Sequence, residues 1–136
     1  QHGLNVTCAD ISRVALSHAE QAAKLESLHI NTLETDLADT GMPDGPWDSV
    51  VSFLFLWRPL IPEMIESLSD DGVLVIVQPT ETSLERHSKP PQRFLLRNGE
   101  LPDLVGDVDI LHYEEGWLED GRHDAVILCR KPKATE

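Results

Sequence analysis

The residues best placed to do chemistry are carboxylates that stand where an apolar run gives way to a helix or a loop. The stretch Leu4-Asn5-Val6-Thr7-Cys8-Ala9-Asp10-Ile11-Ser12 is apolar and β-branched until Asp10, and a helical pattern starts directly after it. In an open α/β sheet, ligands collect outside the carboxyl ends of the strands, and an acid there accepts both hydroxyls of a nucleotide ribose. Asp10 is therefore the first candidate for ligand binding. The alternative is that Asp10 or Ser12 only caps the helix, since both types satisfy orphan amides at a helix start. A second acid, Asp36, ends a second strand-like run within Glu34-Thr35-Asp36-Leu37, with a solvated turn acid as its alternative.

The elements that must hold these acids follow from periodicity. Residues 5–9 read as a strand, and Val14, Leu16, Ala19, Ala22, Ala23 and Leu25 recur at helical spacing to about residue 27, with Ser12 as the cap. Residues 28–35 alternate and predict a second strand; Gly41-Met42-Pro43-Asp44-Gly45-Pro46 is loop by composition. Residues 47–56 form the most apolar run and suit a central parallel strand buried on both faces, although periodicity alone leaves a buried helix open. Pro59 and Pro62 fit a first helical turn, and Leu60, Ile61, Met64, Ile65 and Leu68 form its apolar face. Asp70-Asp71-Gly72 turns into the buried strand Val73-Leu74-Val75-Ile76-Val77. Residues 80–91 show no period and predict a mobile loop of the kind that carries substrate contacts. Residues 101–105 suit a short helix introduced by Gly99-Glu100. Residues 108–113 and 124–130 suit two antiparallel strands joined through Glu119-Asp120-Gly121-Arg122. Residues 131–136 are expected to fray.

The 136 residues fit a single domain, 1–136, with 40% hydrophobic and 26% charged residues. A net charge of -13 argues against a nucleic-acid partner or an anionic membrane surface, because both need clustered Lys and Arg. Cys8 and Cys129 lie inside apolar runs, give no disulfide framework and suit buried thiols of a cytoplasmic protein. No run of about 18 apolar residues and no signal-peptide layout is present. The histidines at positions 2, 18, 29, 87, 112 and 123 lack ligand spacing, so no metal site is expected.

Strand, acid, helix; strand, acid, loop; Trp47-Asp48-Ser49-Val50-Val51-Ser52; a helix; Asp70-Asp71-Gly72; an apolar strand; and a closing hairpin together resemble a class I S-adenosylmethionine-dependent methyltransferase. The resemblance covers nearly the whole chain. Phe94-Leu95-Leu96-Arg97-Asn98-Gly99-Glu100-Leu101, followed by Leu111-His112-Tyr113-Glu114-Glu115, is most similar to the tellurite-resistance-type branch acting on small molecules. The resemblance implies an α/β Rossmann-like fold with a mostly parallel sheet flanked by helices and an antiparallel C-terminal hairpin. It also implies S-adenosylmethionine as cofactor and a small-molecule methyl acceptor. Asp10 would accept from the ribose diol and Ile11 would lie along the adenine. Asp36 would accept from the adenine amino group while the Leu37 amide donates to a ring nitrogen, and Ser52 and Phe53 would face the methionine portion. Trp57, Arg93 and Arg97 would lie on the substrate side, and the two arginines would suit an anionic or oxyanion acceptor. Core packing for Ser52 and Phe53, and solvated ion pairs for the arginines, are the alternatives. Methyl transfer from a sulfonium needs mainly proximity and orientation; if a base takes part, His87, His112 and His123 are the candidates, each otherwise a surface or loop histidine.

The sequence departs from that family at its start. The glycine-rich loop after the family's first strand is absent, and Gln1-His2-Gly3 resembles the end of the helix that would follow it. The expectation is a domain without its first strand and helix, either a piece of a longer enzyme or completed by another chain, which alone binds the cofactor poorly. A homodimer covering the open sheet is one such form. A non-catalytic binding or assembly module is the alternative from another class. A nicotinamide-dependent oxidoreductase shares the acid after the second strand, but Tyr113 is followed four residues on by Trp117 rather than Lys.

Overall fold

The computed structural model describes residues 3–134. Gln1 and His2, read above as the end of a preceding helix, and the last two residues of the expected frayed tail lie outside them. Contacts divide the chain into two units, one reaching to Met42 and one starting at Pro43.

In the first unit, β1 (Thr7–Asp10) leads into helix α1 (Arg13–Leu25), and β2 (Asn31–Glu34) leads into the single turn α2 (Leu37–Thr40). Ser12 caps α1 as expected: its Oγ accepts from the Ala15 amide at 3.1 Å. The two strands pair in parallel, with Thr7 opposite Asn31 and Asp10 opposite Glu34. Both acids therefore leave from the same end of this small sheet. Both strands are shorter than the sequence suggests, because residues 5–6 and 28–30 make only flanking contacts such as the Asn31 amide to the Val6 carbonyl. α2 was not legible as a helix; Asp36 creates it by capping, its Oδ1 accepting from the Ala38 amide at 3.1 Å. Leu16 is the sole buried residue among the described residues of this unit.

In the second unit the strands are β3 (Trp47–Phe53), β4 (Leu68–Pro79), β5 (Asp109–Trp117) and β6 (His123–Arg130), with helices α3 (Leu60–Glu66) and α4 (Glu100–Val105). They form one sheet in the order β3-β4-β6-β5; β3 and β4 run parallel, whereas β6 is antiparallel to both of its neighbours. Period-two patterning gives β4 and β6 one closed face. Leu74 and Ile76 of β4 and Ala125, Ile127 and Cys129 of β6 are buried there with Leu60, Ile61 and Met64 of α3, Leu95 and Leu96, and Leu101 and Val105 of α4. Each Leu, Ile, Val and Met among them contributes roughly 1.5–3 kcal/mol on leaving water. The fold is thus Rossmann-like in its parallel strands and helices, with the antiparallel pair at the end, as the sequence implies.

Four expectations are corrected. β3 is an edge strand of its sheet, not a central one: its register pairs Val51 with Val75 and Phe53 with Val77 on the other face, where Val51 is 66% and Phe53 59% exposed. Residues 80–91 are not an open loop. Glu81–Glu85 form a 3-10 helix, Thr80 and Ser83 are buried, and Ser83 Oγ both accepts from the His123 amide and donates to its carbonyl, each at 3.1 Å. Such order comes from hydroxyl bonds and leaves no periodic trace. Lys131 does not fray: its amide bonds Gly72 O, its carbonyl accepts from the Asp71 amide, and its Nζ donates to Glu66 O and Leu68 O at 3.0 Å. Finally, Cys129 is buried but Cys8 is only half-buried.

Candidate functional site

The first unit places two acids at strand ends with acceptor capacity to spare. Asp10 Oδ1 accepts from the Ser12 amide at 2.8 Å, which leaves Oδ2 without a partner among the described residues. Ile11, beside it, is 67% exposed. Asp36 likewise spends one oxygen on Ala38. Leu37 is the first residue of α2, and amides at that position have no intrahelical acceptor. An exposed carboxylate oxygen after β1, and an acid next to a free amide after β2, is a donor and acceptor set that fits a ribose diol and an adenine edge. Capping and ligand binding are therefore compatible at both acids, since each role uses a different oxygen.

In the second unit the C-terminal end of β3 turns sharply. Ser52 is buried, its Oγ donating to Phe55 O at 3.4 Å. Phe53 is exposed, and Leu54 sits in the left-handed region at φ 56°, its amide bonded to Val77 O. A branched residue held there stores strain of about 1–3 kcal/mol, a cost found where a site needs a particular chain direction. Trp57, three residues on, is 45% exposed, and Arg58 follows it. Beyond the end of β4, the chain returns through residues 92–97, where Leu96 bridges Thr80.

Arg58 and Glu100 are functional-scale charges that sequence reasoning missed. Glu100 is 6% exposed. Arg58 Nε donates to its Oε2 at 2.6 Å, Nη2 donates to Oε1 at 2.9 Å and to Leu95 O at 3.1 Å, and the Arg97 amide donates to Oε1 at 2.8 Å. The Arg58 bonds, reinforced by the Arg97 amide and by the charge of both arginines, hold the Glu100 carboxyl below its ordinary range despite burial, and the same bonds raise Arg58. The available signal was an acid in the first turn of a short helix directly after glycine. Nothing in the sequence marked it as buried. Arg58, Arg93 and Arg97 line an open cleft of about 540 Å³ together with Glu81, Gln92 and Leu95. Arg93 lies over the Phe94 ring at 4.6 Å, and both Arg93 and Arg97 are exposed.

None of the three candidate histidines stands at this cleft. His87 Nε2 bonds Gly121 O, His112 pairs with exposed Glu114, and His123 Nδ1 bonds Thr80 Oγ1 at 2.6 Å. The last belongs to a locking cluster in which the Trp117 ring meets His123 edge-on and Arg86 lies 3.8 Å above Trp117. Asp124, also in this region, is buried with Arg122 Nη2 at 3.3 Å, and burial pushes its carboxyl up. Among the described residues no helix is long and apolar enough to cross a membrane.

A methyltransferase-domain family profile matches residues 1–76, more than half of the chain. Among solved structures, TehB from Haemophilus influenzae is 24% identical with a TM-score of 0.76, covering 95% of this chain and 50% of its own. The N-methyltransferase NodS from Bradyrhizobium japonicum WM9 is 16% identical with a TM-score of 0.73, covering 95% of this chain and 74% of its own. A SAM-dependent methyltransferase from Methanosarcina mazei is 18% identical with a TM-score of 0.74, covering 97% of this chain and 84% of its own. The chain thus spans half the length of TehB, and at these identities the likeness is one of fold. No curated protein sequence matches. Strand-end acids, the mixed sheet with its antiparallel close and a family match over the region carrying Asp10, Asp36 and Ser52 agree: the chain belongs to the class I methyltransferase family, whose cofactor is S-adenosylmethionine.

Proposed function

We propose that this chain holds S-adenosylmethionine for methyl transfer to a small-molecule acceptor. The observation that carries the reading is the parallel pair β1 and β2, each followed by an acid with an uncommitted oxygen. Asp10 holds the ribose hydroxyls with Ile11 along the base, and Asp36 and the Leu37 amide read the adenine edge; by family resemblance Ser52 and Phe53 serve the methionine portion. When bound, the cofactor supplies an activated methyl on a sulfonium. The chain's own contribution is to orient: Leu54 fixes where the β3 end points, and Trp57, Arg93 and Arg97 serve the acceptor side. NodS has been solved with S-adenosyl-L-homocysteine, which supports that product as the probe.

The test is calorimetric titration of S-adenosylhomocysteine into the protein in its natural chain context and into its Asp10→Asn and Asp36→Asn variants. Hydrogen bonds to a charged group contribute about 1.5–3 kcal/mol, so each variant is expected to bind some 10- to 100-fold more weakly. Wild-type affinity in both variants would overturn the residue assignments. A second reading, a methyltransferase-like module that assembles as a homodimer, is favoured by one observation: Val51 and Phe53 stand exposed on the β3 edge. A folded protein that self-associates and binds no S-adenosylhomocysteine would select it. Neither reading involves nucleic acid or membrane, in line with the charge of -13.

A further inference from the structure

We propose that the arginine-lined cleft beyond β3 and β4 binds the carboxylate of the methyl acceptor, so that the acceptor is an organic monoanion rather than a neutral molecule. This rests on the methyl-transfer reading and names its substrate class. The chain has 24 acidic residues against 11 basic ones, yet three of those eleven line one cleft. Glu81 on the rim and Glu100 behind Arg58 offset two of the three charges. The balance of one positive charge matches a single carboxylate. A dianion would leave excess negative charge in a protein already far to the acidic side.

The geometry separates the roles of the three arginines. Arg58, in the cleft lining, is committed through Nε and Nη2 to Glu100 and Leu95 O, which leaves Nη1 as its uncommitted nitrogen. It is a fixed floor whose orientation is set before ligand arrives. Arg97 is anchored through its amide on Glu100, but its guanidinium lies 3.8 Å from that carboxylate and its side chain is 77% exposed. Arg93 has no acidic partner among the described residues and rests on Phe94. These two forks are free to close on a carboxylate, the geometry that guanidinium matches and ammonium does not. Gln92, also in the lining, donates from Nε2 to Glu81 Oε2 at 3.2 Å, which engages one oxygen of that carboxylate within the cleft.

Size and position narrow the ligand further. About 540 Å³ lies within the range of pockets that hold organic molecules, and far exceeds what an inorganic ion fills. The lining residues come from the segments that follow the C-terminal ends of β3 and β4, the end of an open α/β sheet where ligands bind. That position is what connects the cleft to the acceptor rather than to an incidental surface.

The test uses the protein in its natural chain context with S-adenosylhomocysteine present. Acetate, benzoate and 2-naphthoate are titrated beside their primary amides, which share shape without the charge. At least one carboxylate is expected to bind tenfold or more tightly than its amide, and the preference should vanish in Arg93→Gln/Arg97→Gln while returning only in part in Arg93→Lys/Arg97→Lys. Equal binding of every acid and amide, no binding of any acid, or a preference that survives the double glutamine variant overturns the assignment. The S-adenosylhomocysteine titration of the same sample is read separately. Cofactor-product binding without carboxylate preference refutes the cleft alone, whereas its absence refutes the methyl-transfer reading on which the cleft depends.

Discussion

Replacing Glu100 by Gln should destabilise the protein by about 2–3 kcal/mol at neutral pH, and the size follows from the bonds that change. The carboxylate accepts from Arg58 Nε at 2.6 Å, Arg58 Nη2 at 2.9 Å and the Arg97 amide at 2.8 Å. Gln keeps the shape and one acceptor, which in the Oε1 position serves both the Arg97 amide and Arg58 Nη2, but it removes the charge and turns an NH2 group toward Arg58 Nε. Bonds to charged groups contribute about 1.5–3 kcal/mol and neutral ones about 1; breaking a fully buried pair costs about 3–5. The Arg58 side chain is 37% exposed while that of Glu100 is 5%, so water recovers part of the loss on the arginine side and brings the expectation below the buried limit. For a chain of this size that is roughly 3–5 °C in Tm per kcal/mol. Urea melts of wild type and variant give the difference directly. Because the Glu100 carboxyl is held below its usual value of 4.5 in the folded state, its contribution is fully present above pH 4.5 and disappears as the pH falls through the folded value. The gap between wild type and Glu100→Gln must therefore close in acid. A gap under about 0.5 kcal/mol at neutral pH, smaller than a single neutral hydrogen bond, or one that persists unchanged in strong acid, would refute the reasoning.

Two further outcomes can be checked spectroscopically and chemically. Tyr113 is the sole tyrosine, and burial together with its hydrogen bond to Glu115 pushes its hydroxyl up to about 12. Ultraviolet titration should show no phenolate until well above pH 10 in the folded protein. The stability this group confers, present below the unfolded value near 10, should fade as pH rises toward 12; a midpoint at the unfolded value would contradict the burial. For the thiols, the half-buried Cys8 should react with a thiol reagent first, while Cys129, buried and raised by desolvation, should react only on unfolding. Simultaneous labelling of both would place Cys129 outside the core.

What could be read from the sequence was whatever obeys a period or ends one. Ser12 as a cap, the helix behind it, strands within residues 47–56 and over 73–77 and the antiparallel close all follow from apolar spacing and turn chemistry, and all are present. The strand-end positions of Asp10 and Asp36 were legible because Asp10 closes an apolar run and Asp36 an alternating one. What escaped depends on contacts between distant residues. Glu100 and Arg58 lie 42 positions apart, and nothing local distinguishes a buried, paired acid from a solvated one. Ser83 and Thr80 order their segment through His123, 40 and 43 positions away, so a stretch without periodicity looked like a mobile loop. Composition alone suits residues 47–56 to burial on both faces; hydrophobicity states what a strand tolerates, whereas the number of neighbours it finds is a property of the sheet.

The strand order of the second unit also fixes when it can fold. β6 is the last of its four strands in sequence, yet it lies between β4 and β5 and is the only one to pair with both. On a ribosome, β3, β4 and β5 emerge before the strand that joins them. Until β6 is added, Leu74 and Ile76 lack the neighbours Ala125, Ile127 and Cys129 that close their face. The apolar face of β4 must therefore wait through synthesis of the whole intervening segment before it is sealed. Helices α3 and α4, Leu95 and Leu96, and a transient β3–β4 pair shelter it in that interval, and an early stop within β6 forfeits the sheet rather than trimming it.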